Sequence, residues 1–198
     1  TGNGLKDLVV GIAWGDGKFR VWNVKSGAVG SGDTHLLADT VVSYRDGNNA
    51  IRFLTGSYNR NAREQATLTR WKLDRNSKPE IEATIPVGVE AVPRDMQLYR
   101  SRPNGPIDRL AIALWLPPVK KLNRFTNAYE LRLIQVGNLM KKLGEPVQIG
   151  KPTRGIPIRP TLAVDPTGAR AAVSGLPDHQ IRTWTLKNDV LRESTSIQ

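Results

Sequence analysis

Cysteine is absent from the 198 residues, which excludes disulfide frameworks, thiolate metal sites and thiol nucleophiles. Histidine is scarce, with His35 and His179 alone. Neither stands in a metal-ligand spacing or beside a nucleophile it could activate, so no metal, no cofactor and no catalytic residue is expected. No apolar run approaches the ~18–20 residues of a membrane-crossing helix, and the opening Thr1-Gly2-Asn3-Gly4-Leu5-Lys6-Asp7 has no secretory pattern. A membrane is therefore not an expected partner, and the cytoplasm is the expected location. Acidic residues are few: 18 Asp and Glu oppose 29 Lys and Arg, giving a net charge of +11 and a pI near 10.3. Such a surplus attracts polyanions or an acidic partner and carries no information about fold.

The signatures of several enzyme classes are also missing. There is no Gly-x-Ser-x-Gly, no His-Glu-x-x-His and no Gly-x-x-x-x-Gly-Lys-Ser/Thr. Gly2-Asn3-Gly4 is a fragment of a phosphate-binding loop without its third glycine or its helix. Sustained helical periodicity is absent as well. Leu133, Val136, Met140 and Leu143 are helically spaced, but the Gly137-Asn138 turn signal between them favours two strands over a helix at 129–143.

What the chain does contain is a succession of short alternating runs separated by Gly, Pro, Asn and Asp, which reads as all-β. One run recurs: Phe19-Arg20-Val21-Trp22-Asn23-Val24, Leu68-Thr69-Arg70-Trp71-Lys72-Leu73 and Ile181-Arg182-Thr183-Trp184-Thr185-Leu186, with Leu131-Arg132-Leu133-Ile134-Gln135-Val136 carrying Ile in place of Trp. Trp22 and Trp71 are 49 residues apart, Trp71 and Ile134 are 63 apart, and Ile134 and Trp184 are 50 apart. Intervals of this size suit four-stranded propeller blades. Asp16 and Asp178 each stand six residues before a Trp. A large indole fills the layer between blades, and an Asp before the strand accepts turn N–H groups. Trp22, Trp71, Trp184, Asp16 and Asp178 are accordingly expected to be structural repeat residues.

The stretch from Leu162-Ala163-Val164-Asp165-Pro166-Thr167-Gly168 through Ala171-Ala172-Val173-Ser174-Gly175 to Asp178 and Ile181-Arg182-Thr183-Trp184-Thr185-Leu186 resembles a full WD repeat of degenerate, bacterial type. Leu8-Val9-Val10-Gly11 through Asp16-Gly17-Lys18 to Trp22-Asn23-Val24 resembles the same unit without its first strand, and Lys142-Leu143-Gly144-Glu145-Pro146-Val147 resembles the opening of a fourth strand. The resemblance implies a single β-propeller segment over 1–198, forming a partial or open arc. Its blades would fall at 5–38 (incomplete, with strands near 8–14, 18–24 and 34–38), 39–87, 88–150 and 151–198. Closed propellers carry four to eight blades, so the arc is expected to belong to a larger propeller, or to be completed by self-association or by another chain.

Two longer connections carry the functional expectation. Pro117 to Thr126 interrupts the link between second and third strands of the third blade, and Tyr58 to Glu64 is a smaller version in the second. The resemblance places both on one face of the disc, beside the inter-blade segment Lys151-Pro152-Thr153-Arg154. Arg60, Arg63, Lys120, Lys121, Arg124, Lys151 and Arg154 would form a basic crescent there, with Phe125 and Tyr58 as apolar anchors. Arg100, Arg102 and Arg109 fall on the other side. The expected function is a non-catalytic protein-interaction scaffold within a larger multidomain bacterial protein, presenting this basic face to a protein partner of acidic character. The alternatives are a nucleic-acid-binding propeller, and an enzyme using the central cavity, for which carboxylates or histidines must converge at the axis.

Overall fold

A computed structural model describes residues 8–197 apart from 13–16, 24–26, 28, 35–36, 59–64, 75–77, 119–125, 138, 155–158 and 177. The strands are β1 (Leu8–Ile12), β2 (Lys18–Asn23), β3 (Val29–Asp33), β4 (Leu37–Arg45), β5 (Ile51–Tyr58), β6 (Gln65–Leu73), β7 (Pro79–Val89), β8 (Val92–Tyr99), β9 (Arg109–Leu116), β10 (Ala128–Gln135), β11 (Lys141–Gln148), β12 (Thr161–Val164), β13 (Arg170–Ser174), β14 (Ile181–Lys187) and β15 (Val190–Ile197). They form one three-stranded sheet, β1-β2-β3, and three four-stranded sheets, β4-β5-β6-β7, β8-β9-β10-β11 and β12-β13-β14-β15. Every pairing is antiparallel between chain neighbours. The fold is all-β, a partial propeller of such blades. Among the described residues no helix is long and apolar enough to cross a membrane.

Three apolar layers hold the blades face to face. Phe19 and Val21 of the first blade pack on Phe53 and Trp71 of the second. Leu54, Leu68 and Val87 of the second meet Met96, Ile112, Leu114 and Ile134 of the third. Ala111, Tyr129, Leu131 and Leu133 of the third meet Leu162, Val173 and Trp184 of the fourth. Alternate residues of one strand thus serve two different layers, which is the two-sided burial that a stacked blade requires. The innermost strands β4, β8 and β12 succeed one another around the arc, and β1 lies beside β4 as β5 lies beside β8. The first blade therefore presents its second, third and fourth strands, and an innermost strand is missing among its described residues.

The recurring aromatic run occupies the third strand of each blade. Trp71 on β6 and Trp184 on β14 are buried, and Ile134 on β10 takes the equivalent place. Each points toward the preceding blade: Trp71 toward the first, Ile134 toward the second and Trp184 toward the third. Trp22 on β2 is half-buried, on the strand face opposite the one that Phe19 and Val21 turn to the second blade.

One detail differs from expectation, and another agrees with it. The last strand of the first blade lies at Val29–Asp33, not 34–38, because Leu37 already opens β4. Its glycine-rich sequence conceals it, and Gly32 is there for a steric reason: a Cβ would stand 2.7 Å from Phe19 and 2.8 Å from Trp71. The segment 129–143 forms β10 and β11 across the Gly137 turn, as the turn signal implied.

Blades three and four are also joined through a turn. Gly168, in the β12–β13 turn, has φ of +72°, and a Cβ on it would meet Tyr99 at 2.6 Å and the Arg100 carbonyl at 2.7 Å. Arg100 N–H donates to the Pro166 carbonyl at 3.3 Å in the same place. Gly168→Ala is expected to cost about 1–2 kcal/mol from the backbone conformation alone, and more from the contact, read as a lowered urea midpoint with unchanged slope.

Candidate functional site at the inner edge of the blades

Antiparallel alternation puts the β5–β6 and β9–β10 links on the same rim as the β7–β8 and β11–β12 connections. On that rim Lys151 and Arg154 are exposed. Asn127 and Thr153 form an isolated bridge, with N–H to carbonyl distances of 2.8 and 2.9 Å, which ties the 151–154 segment to the foot of β10. Arg60, Arg63, Lys120, Lys121, Arg124 and Phe125, and likewise Asp16 and His35, lie outside the described residues. Tyr58 is half-buried at the end of β5.

The innermost strands begin on this rim, and there two of them carry the same irregularity. In β4 the pairing with β5 steps from Ala38–Ser57 to Thr40–Gly56, leaving Asp39 as a bulge. In β8 the pairing with β9 steps from Pro93–Leu114 to Asp95–Ala113, leaving Arg94 as a bulge. The two are structurally equivalent. Asp39 stands four residues before Ser43, the β4 residue in register with Phe53 and Trp71. Arg94 stands four before Leu98, in register with Leu110 and Ile134. A bulge re-aims one side chain out of the pleat, and these two meet: Arg94 Nη1 donates to Asp39 Oδ2 at 2.8 Å. The close approach relies on Gly56, whose Cβ would lie 2.7 Å from Pro93 and 2.8 Å from Thr40.

A third blade reaches the same point. Arg159, just before β12, donates from Nη2 to the Asp39 carbonyl at 3.3 Å. Second and fourth blades have the third between them, so this bond crosses the inner edge of the arc. Asp95, next to the Arg94 bulge, accepts from Leu162 N–H at 2.8 Å and Met96 N–H at 2.8 Å, fastening β8 to β12. Arg94 also lies over the Trp115 ring, its Cζ 4.7 Å from the ring centroid, a cation–π contact worth about 1 kcal/mol. Trp115 is itself held, its Nε1–H donating to Asn127 Oδ1 at 2.9 Å. The Arg94 side chain is 17% exposed and that of Asp39 4%, and Arg94 Nε is buried without a hydrogen-bond partner among the described residues. Two guanidiniums, Arg94 and Arg159, and two carboxylates, Asp39 and Asp95, thus gather at the inner edge.

The opposite rim holds a polar cleft of about 360 Å³ between second and third blades. Its charges are mutually satisfied: Arg52 pairs with Asp46 at 3.1 Å and with Glu82 at 3.0 Å, and Arg70 pairs with Glu82 at 2.8 Å. Burial raises the Tyr44 phenol above its ordinary value, against the pull of Arg70, so it stays a donor at neutral pH, and it bonds the Val136 carbonyl at 2.9 Å. Between third and fourth blades on that rim, Arg109 grips both Asp189 oxygens, at 2.8 and 3.2 Å, and Asp108 at 2.8 Å. Arg109 is thus bound within the fold, whereas Arg102 is exposed. Asp178 accepts from Gln180 N–H at 3.3 Å and from Arg182 at 2.8 Å. Burial pushes its carboxyl up, and the Arg182 and Gln180 bonds outweigh this, leaving it below the ordinary carboxylate value. His179 beside it has φ of +57° and belongs to the turn.

Sequence reasoning singled out none of Asp39, Arg94, Arg159 or Trp115. The signal that could have found the first two is their common place as the third residue of the inner strand, visible only once the blades are aligned strand by strand.

No protein-family model and no curated protein matches the chain. Solved structures do. A Lactobacillus plantarum protein is 11% identical over 96% of this chain, with a TM-score of 0.64, and this chain spans 54% of its length. A Bacteroides fragilis protein proposed to be a 6-phosphogluconolactonase is 9% identical over all of this chain and 69% of its own, with a TM-score of 0.40. A Bacteroides uniformis protein of the same proposed kind is 12% identical over 96% of this chain and 67% of its own, with a TM-score of 0.42. At these identities the likeness concerns the fold. It also corrects an expectation. The step from propeller to non-catalytic interaction scaffold does not hold, because the structures this chain resembles include ones proposed to be enzymes.

Proposed function

We propose that the inner edge of this arc is a binding site for a small molecule bearing an oxyanion, a phosphate ester or a carboxylate, in a propeller that uses its axis as a ligand site. The observation that supports it is the convergence of Asp39, Arg94 and Arg159 from three blades at one point. Arginine suits such ligands because its planar donors match paired oxygens. A mostly buried ion pair is a poor stabiliser next to an apolar contact of the same size, so Arg94 and Asp39 call for a role beyond holding two blades together. Arg94 Nε, buried without a partner among the described residues, adds about 1–3 kcal/mol to the cost of holding the side chain there, which supports the same reading. Charged groups at the axis are also what an enzyme using the central cavity requires. In that role Arg94 and Arg159 hold the anion and Asp39 orients Arg94.

The site is completed by further blades, of this polypeptide or another chain. Trp22, half-buried on the face where its equivalents meet a preceding blade, supports this, as does the 54% coverage of the Lactobacillus plantarum protein. The blades read as degenerate WD repeats, supported by the bond from Trp71 Nε1 to Thr55 Oγ1 at 2.9 Å within one blade.

The test is calorimetric titration of the full-length protein with inorganic phosphate, glucose 6-phosphate and acetate. Binding is expected, with Arg94→Ala weakening it by about tenfold or more, as for loss of a charge-assisted bond. Equal affinity in wild type and Arg94→Ala would contradict the site.

A second reading, a nucleic-acid-binding propeller, is supported by the net charge of +11 and by Lys151 and Arg154, exposed on the rim. It requires oligonucleotide affinity that falls steeply with salt, and that affinity must drop when Lys151 and Arg154 are replaced but not when Arg94 is.

A further inference from the structure

We infer that Asn127 is a positioning residue for the axial site, acting on Arg94 through Trp115. This rests on the oxyanion-site reading above for its functional consequence, though not for its geometry. Asn127 is a polar residue only 3% exposed, and burying an amide is costly unless its hydrogen bonds are made. Its backbone N–H and carbonyl are spent on Thr153, at 2.8 and 2.9 Å. Its side-chain oxygen accepts the Trp115 indole N–H at 2.9 Å. An indole held at its Nε1 resists rotation about χ1 and χ2, the torsions that would tilt or flip the ring, so the face beneath Arg94 keeps one orientation. The Arg94 guanidinium, 4.7 Å above that face, is held between the ring and Asp39 Oδ2 at 2.8 Å.

The chain of contacts runs Thr153, Asn127, Trp115, Arg94, Asp39. It links the connecting segment that carries Lys151 and Arg154 to the inner edge of the arc. Replacing the Asn127 amide takes away the acceptor of the indole N–H while leaving Arg94, Asp39 and Arg159 unchanged, and lets the Trp115 ring, and with it Arg94, take more than one orientation. The preorganisation is lost while the charges remain.

Two readouts on the full-length protein separate positioning from a merely structural role. The first is the Arg94 Nε–H signal in a nitrogen-15 spectrum, assigned by its loss in Arg94→Lys. It is expected to be sharp and slow to exchange in wild type and in Asn127→Asp, which keeps an acceptor for the indole. It is expected to broaden or vanish in Asn127→Leu, and in Trp115→Phe, which keeps a ring but has no N–H to hold. The second is the affinity for inorganic phosphate, expected to fall roughly tenfold in Asn127→Leu and Trp115→Phe and to recover in Asn127→Asp. Should Asn127→Leu fail to fold, Trp115→Phe carries the same expectation. An Arg94 signal unchanged in Trp115→Phe overturns the inference. A signal that changes as expected, in a protein whose wild type does not bind phosphate, upholds the positioning and overturns the oxyanion-site reading instead.

Discussion

Trp71→Ala is expected to destabilise the protein by about 3–5 kcal/mol, a third or more of a typical domain's total. Trp71 is 2% exposed in the layer between first and second blades. It is packed at 4.7 Å between ring centroids against Phe19, itself 6.0 Å from Phe53. The glycine at 32 leaves room that this ring and Phe19 fill, and truncation to alanine opens a cavity between the two blades. A milder pair of substitutions separates packing from hydrogen bonding. Trp71 Nε1 donates to Thr55 Oγ1, a fully buried hydroxyl, whereas Trp184 Nε1 is buried with no partner among the described residues. The cause is readable: two positions beyond the residue paired with the indole, the second blade has Thr55 and the fourth has Val173. Trp71→Phe is therefore expected to cost about 1–2 kcal/mol more than Trp184→Phe, measured by urea denaturation of both variants against wild type. Equal losses would mean that the indole hydrogen bond contributes nothing.

Arg70→Met is expected to cost about 2–3 kcal/mol. Arg70 leaves the third strand of the second blade and crosses to the third blade, donating to the Val136 carbonyl at 3.0 Å and to the Gly137 carbonyl. Its Nε pairs with Glu82. Methionine replaces the stem and none of the donors. The loss stays below that of an orphaned buried charge for two reasons: Glu82 keeps Arg52 at 3.0 Å, and the Val136 carbonyl keeps the Tyr44 hydroxyl. Adding Tyr44→Phe removes that remaining donor, so the double variant is expected to lose more than the two single losses combined. Strict additivity in denaturation midpoints would show that the two donors do not share the carbonyl.

The blades were readable from the sequence because their third strands repeat a large side chain at fixed polarity alternation, and Trp71, Ile134 and Trp184 each fill the layer toward the preceding blade. The last strand of the first blade was not readable. Val29-Gly30-Ser31-Gly32-Asp33 has almost no apolar alternation, and its Gly32 is demanded by Phe19, its cross-strand partner on β2, and by Trp71 of the next blade. The axial cluster was hidden for a different reason. Asp39 and Arg94 are 55 residues apart and Arg159 is 120 from Asp39, and they meet only because bulges at the feet of two inner strands turn side chains toward the same edge. A bulge is a property of pairing between strands, which no local pattern announces. The basic loops drew notice through composition, yet the arginines that converge among the described residues are Arg94 and Arg159 at the inner edge.

The most direct measurement is a crystal structure of the full-length protein grown with tungstate, a heavy tetrahedral oxyanion located by its anomalous signal. A tungsten peak is expected at the inner edge, with oxygens within hydrogen-bond reach of Arg94 and Arg159. Anomalous peaks confined to the outer loops around Lys151 and Arg154, with the inner edge empty of metal, would contradict it.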